Sequence, residues 1–98
     1  MARFDVHRCL DGPGYLIDLQ ADILRDLNTR FVAPLLPPDE APRPAVRLNP
    51  VVTVEGKAHV MATQFAGAVR VADLGPCVGS LLAEDTAIVA ALDMLIGA

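Results

Sequence analysis

The sequence predicts a small, mainly β protein in which a strongly bent antiparallel sheet, or partial barrel, is followed by one C-terminal α-helix. Two observations carry this prediction. Strand-like stretches alternate with turn chemistry about every 8–12 residues as far as residue 74. From residue 80 onward the apolar spacing turns helical. Size adds a third constraint: 98 residues fit a single unit, 1–98, large enough to bury a core without disulfide or metal staples.

Residues 3–7 alternate polar and apolar, the period of a half-buried strand. Gly12-Pro13-Gly14 is dense turn chemistry, and residues 15–19 return as the second arm of a hairpin. Gly12 and Gly14 make a poor phosphate loop because no helix follows them. Residues 20–28 read as a connection with a local turn. Residues 30–36 form a strand in which Pro34 cannot donate to a ladder, which places it at an edge or a bulge. Residues 37–44 hold four of the eight prolines and form an exposed loop. Residues 51–54 and 57–61 make a second hairpin around Glu55-Gly56. Residues 62–67 are irregular, and residues 68–74 are the last strand.

The terminal helix has Ser80 as its candidate N-cap, acidic Glu84 and Asp85 in its first turns and Gly97 as its stop. Ile88, Ala91, Leu92, Leu95 and Ile96 mark one face for the core. The opposite side, Val89, Ala90 and Met94, is apolar too, and a helix apolar all round must be covered twice. A second copy of the chain over Val89, Ala90 and Met94 is the expected cover, making a homodimer. The stretch is too short and too acidic to span a membrane, which takes about 20 apolar residues.

Net charge is −4 without any basic cluster, so direct nucleic-acid binding is disfavoured. Cys9 and Cys77 match no metal or redox spacing and read as free thiols in the cytoplasm. His7 and His59 read as ordinary strand histidines, and Asp18, Asp22 and Asp26 as solvated charge. No catalytic residue, metal site or cofactor is expected, and the chain reads as an interaction protein rather than an enzyme.

Four stretches resemble the CcdB toxins of bacterial toxin–antitoxin operons. Residues 15–24, YLIDLQADIL, are similar to that family's second strand and its V-Q-S-D-I exit. Residues 32–35, VAPL, resemble V-I-P-L, and residues 48–54, LNPVVTV, resemble L-x-P-V-V-x-I. Residues 88–96, IVAALDMLI, resemble I-K-N-A-I-N-L-M-F ahead of a terminal W-G-I. The resemblance implies an SH3-like small barrel with a C-terminal helix, a two-fold dimer and no cofactor. It also implies binding to the A subunit of DNA gyrase, trapping of that enzyme on cleaved DNA, and neutralisation by a partly disordered antitoxin. Carried over position by position, the gyrase contacts fall on Ala21, Ile23, Asp93, Ile96, Gly97 and Ala98. The chain has no Trp, so its tail, Ile96-Gly97-Ala98, offers less contact area than the family's aromatic tail. Two alternatives remain: a MazF-like endoribonuclease toxin on the same barrel, and a family member that has lost gyrase poisoning.

Overall fold

The computed structural model describes residues 2–97. Seven strands, β1 (Asp5–Cys9), β2 (Tyr15–Asp18), β3 (Thr29–Leu36), β4 (Val51–Val54), β5 (Lys57–Met61), β6 (Gly67–Arg70) and β7 (Leu74–Ser80), precede the helix α1 (Asp85–Ile96). They form one curled antiparallel sheet in the order β4-β5-β3-β2-β1-β7, with β6 paired to β3 off that path. The fold class read from the sequence is therefore the observed one. Both hairpins form, β1–β2 with Val6 opposite Ile17, and β4–β5 with Val54 opposite Lys57. Glu55 (φ 49°) and Gly56 (φ 80°) are both left-handed, the backbone a two-residue hairpin turn needs to match strand twist.

Pro34 is neither at an edge nor at a bulge. β3 is the central strand, with β2 along one side and two partners in succession along the other. Thr29–Val32 pairs with β6, and Leu35 and Leu36 pair with β5. Pro34 stands where one partner gives way to the next, so its missing N–H leaves no ladder bond unmade. Its carbonyl still accepts from the Ala62 N–H at 2.9 Å.

The strand expected over residues 68–74 is also corrected. It divides into β6, a short 3₁₀ turn (Val71–Asp73) and β7, which continues to Ser80. Gly75 and Pro76 read as breakers in the sequence, yet β7 is the last strand of the sheet, where a proline is tolerated. Gly75 has a steric reason: a Cβ there would overlap the Arg8 carbonyl on β1.

Ser80 does not cap α1. It ends β7 and accepts the Leu82 N–H at 3.2 Å, starting a 3₁₀ turn (Leu82–Glu84) ahead of the helix. Gly97 stops α1 as expected, left-handed at φ 76°, with its N–H on the Asp93 carbonyl. The core joins Val6, Ile17, Leu35, Met61, Ile88 and Ala91. Leu92 is only half-buried, and Leu95 and Ile96 are exposed, because the last turn of α1 runs past the single-chain core.

Asp18 is not solvated. It is fully buried beside Arg30, which donates from Nε to Asp18 Oδ2 at 2.8 Å, while Oδ1 takes the Gln20 N–H at 3.0 Å. Arg30 Nη2 approaches the same Oδ2 off the hydrogen-bonding direction, and Nη1 has no partner among the described residues. His7 and His59 are buried rather than peripheral.

Candidate functional site

Two surfaces stand out. The first comprises two separate elements, the end of α1 and the β2–β3 connection, each with exposed apolar side chains. A 12-residue helix with two buried positions, Ile88 and Ala91, leaves its remaining apolar side chains at or near the surface. Val89 and Ala90 are half-buried and share a shallow groove with Asp85, Thr86 and Asp93. Met94 is exposed, and Ile96 is 71% exposed. On the other element, Ala21 precedes a single 3₁₀ turn (Asp22–Leu24) and Ile23 is 89% exposed at its tip. That turn is pinned by the Arg3 N–H, which donates to Asp22 Oδ1 at 2.8 Å. Of the residues expected to meet gyrase, Asp93, Ile96 and Gly97 thus lie on α1 or its stop, and Ala21 and Ile23 lie on the connection. Ala98 lies outside the described residues.

The second surface was not read from the sequence. The curl of the sheet brings the β1–β2 loop against the β5 side, enclosing a cleft of about 500 Å³ lined by Arg8, Tyr15, Lys57, His59 and Glu40 among others. Arg8 holds Glu55 through two contacts of 2.8 and 2.9 Å, and the Tyr15 hydroxyl donates to Glu55 Oε1 at 2.7 Å. Tyr15 meets His59 edge to face, with centroids 5.1 Å apart. The hydrogen bond to Glu55 raises the Tyr15 phenol above its usual pKa, with desolvation second. His59 Nδ1 faces the Lys57 carbonyl at 3.0 Å, which requires the proton on Nδ1. At the loop side, burial and then Asp11 push the Cys9 thiol up. These residues come from both hairpins and meet only once the sheet has curled. Two charged strand residues and a histidine beside two turns were the available signal, and their spacing does not single them out.

Both thiols, Cys9 and Cys77, are free. No helix among the described residues is long and apolar enough to cross a membrane.

Comparison with solved structures gives the same architecture in toxins. The Mycobacterium tuberculosis toxin MazF-mt6 superposes with a TM-score of 0.79 at 20% identity, over 95% of this chain and 96% of that one. An endoribonuclease in complex with its cognate antitoxin, from a mycobacterial species, gives 0.80 at 16% identity over 99% and 95%. A chain described as an Mtb toxin gives 0.73 at 19% identity over 91% and 97%. These likenesses establish the fold. They also overturn the expectation that the chain is no enzyme, because solved endoribonucleases use this architecture. Among curated proteins, none matches the chain by sequence. The family description "CcdB protein" matches residues 3–97. With nearly its whole length matched, the chain belongs to the CcdB family of toxins of toxin–antitoxin systems.

Proposed function

We propose that this toxin binds the A subunit of DNA gyrase through the tip of α1 and the β2–β3 connection, trapping gyrase on cleaved DNA. The observation that carries the reading is the exposure of Ile96, a large aliphatic side chain at the end of a helix that the chain's own core does not cover. Gly97, left-handed and without a side chain, lets a partner's backbone approach closely beside it. Burying one aliphatic side chain is worth roughly 1.5–3 kcal/mol, or about one to two powers of ten in affinity. Ile23 and Ala21 supply a second contact on a separate element. The toxin works as a homodimer through Val89, Ala90 and Met94, in the cytoplasm, and a cognate antitoxin with a disordered segment neutralises it. The complex with antitoxin among its structural neighbours supports that partner.

A second reading has its own support in the cleft and in the endoribonuclease neighbours. There Lys57 and Arg8 would hold a phosphate and His59 would move a proton. Glu55 already neutralises Arg8 and Glu40 lines the same cleft, which weakens attraction for a polyanion.

One experiment separates the two. Purified chain is added to gyrase with supercoiled DNA and, in parallel, to a mixed-sequence single-stranded RNA. Cleaved, protein-linked DNA with intact RNA is the expected result. RNA cut with gyrase unaffected would overturn the gyrase reading in favour of the cleft.

A further inference from the structure

We propose that Asp5, His7 and Cys77 form a transition-metal site, suited to Zn²⁺, at the seam between β1 and β7. The ladder places them together. Asp5 and His7 stand two apart on β1 and so point to the same side, and Cys77 of β7 lies directly opposite His7. Between Val6 and His7 the register slips, leaving Val78 as the extra residue of a bulge, a device that re-aims neighbouring side chains. One ligating atom from each of the three, carboxylate oxygen, imidazole nitrogen and thiol sulfur, lies within 4.8 Å of the others. Metal–ligand distances of about 2.0–2.3 Å at a tetrahedral Zn²⁺ put its donors roughly 3.3–3.8 Å apart, a spacing that small side-chain rotations would reach.

The histidine is the informative member. It is 4% exposed, and its Nδ1 lies 3.0 Å from the Gly75 carbonyl. A carbonyl only accepts, so Nδ1 carries a proton, and in that neutral tautomer the lone pair is the one on Nε2. Nε2 is buried without a hydrogen-bond partner among the described residues. A metal-bound imidazole has this arrangement, with its far N–H on a backbone carbonyl and its near nitrogen free. The carboxylate is held too, because Asp5 Oδ2 accepts the Ala2 N–H at 2.9 Å.

The donor set narrows the ion. A thiolate with an imidazole favours Zn²⁺ over Mg²⁺ or Ca²⁺, which prefer oxygen alone. Cys77 is exposed, so a fourth, solvent-facing position stays open. On binding, the thiol gives up its proton to solvent and its weak contact with the Gly79 carbonyl is replaced by the metal bond. The ion would fasten the last strand, β7, to the body of the sheet. This inference stands apart from the target of the toxin.

Co²⁺, a spectroscopic substitute for Zn²⁺, tests it. The reduced full-length chain is titrated with Co²⁺ and read in the near-ultraviolet for thiolate-to-cobalt charge transfer. A band saturating at stoichiometric Co²⁺ and bleached by Zn²⁺ is expected. Cys77→Ser, an exposed change that leaves the core alone, should abolish the band, and Cys9→Ser should leave it intact. Asp5→Asn, which exchanges an anionic ligand for a neutral one, should weaken Co²⁺ binding roughly tenfold or more, at least as much as loss of an outer supporting group does. No band at stoichiometric Co²⁺, or a band that survives Cys77→Ser, overturns the assignment.

Discussion

The start of β3 and the tip of α1 break the same rule in opposite directions. At β3 the chain buries a full ion pair, Asp18 with Arg30, both side chains wholly out of solvent. At the tip of α1 it leaves Ile96 largely in water and Leu95 partly so. Taking both charges out of water is costly, and what keeps the arrangement intact is that each charge has the other. The helix tip is the reverse, since Ile96 keeps most of its aliphatic surface outside the core. The buried pair therefore serves the monomer, and the exposed tip is the part left for the proposed partner.

Breaking the buried end should produce the largest effect. Asp18→Ala leaves a guanidinium unpaired in the core, a loss of about 3–5 kcal/mol. For a chain of this size that lowers the thermal midpoint by more than about 12 °C. Replacing both residues together, Asp18→Leu with Arg30→Met, should recover most of the loss, and calorimetry of the three variants checks both statements. A midpoint unchanged in Asp18→Ala would remove the basis of the contrast.

The outer end should respond in assembly instead. Met94→Asp puts a carboxylate into the proposed dimer face, where an unpaired charge costs several kcal/mol. Light scattering at micromolar concentration should then show a monomer or aggregate in place of a dimer. A monomeric wild type would refute the dimer outright.

Ile96→Ala is a gentler probe of the same end. It should weaken gyrase binding about tenfold, while stability changes by no more than about 0.5 kcal/mol. Equal losses of binding and stability would show that the tip supports the fold after all.

The smallest effect concerns the cleft. Tyr15 is the only tyrosine, so its ionisation can be followed by ultraviolet absorbance. Its pKa is raised in the fold, so its contribution to stability is complete below the ordinary tyrosine value near 10 and fades as pH climbs through the folded one. Glu55→Gln should bring the titration midpoint back down. A midpoint that does not move would deny Glu55 that role.

What could be read from the sequence follows from local chemistry. The β4–β5 hairpin was legible because Glu55-Gly56 is a strong turn signal between two alternating arms, and the helix stop because Gly97 follows a long apolar run. β7 was hidden by Gly75 and Pro76, whose local message is to break a strand and whose place in the sheet overrides it. Pro34 misled in the same way, since only the tertiary pairing shows that β3 changes partners there. Asp18 looks solvated on its own, and nothing in its spacing from Arg30 reveals that each is the other's counter-ion. The cleft and the Asp5–His7–Cys77 cluster draw on strands distant in sequence, beyond the reach of any spacing rule. The expectation that the chain is no enzyme failed for a different cause, because composition describes charge and not the uses of an architecture.

The crowding at Gly75 bears on how the protein can change over generations. Even a methyl group at that position would drive β7 away from Arg8 and pull the Gly75 carbonyl from His7. Gly67 and Gly79, by contrast, open onto free space and are at liberty to drift. A library selected only for folded protein should accordingly return glycine at 75 and a spread of residues at 67 and 79. Invariance at 75 would then record the closeness of two strands and carry no information about the toxin's target.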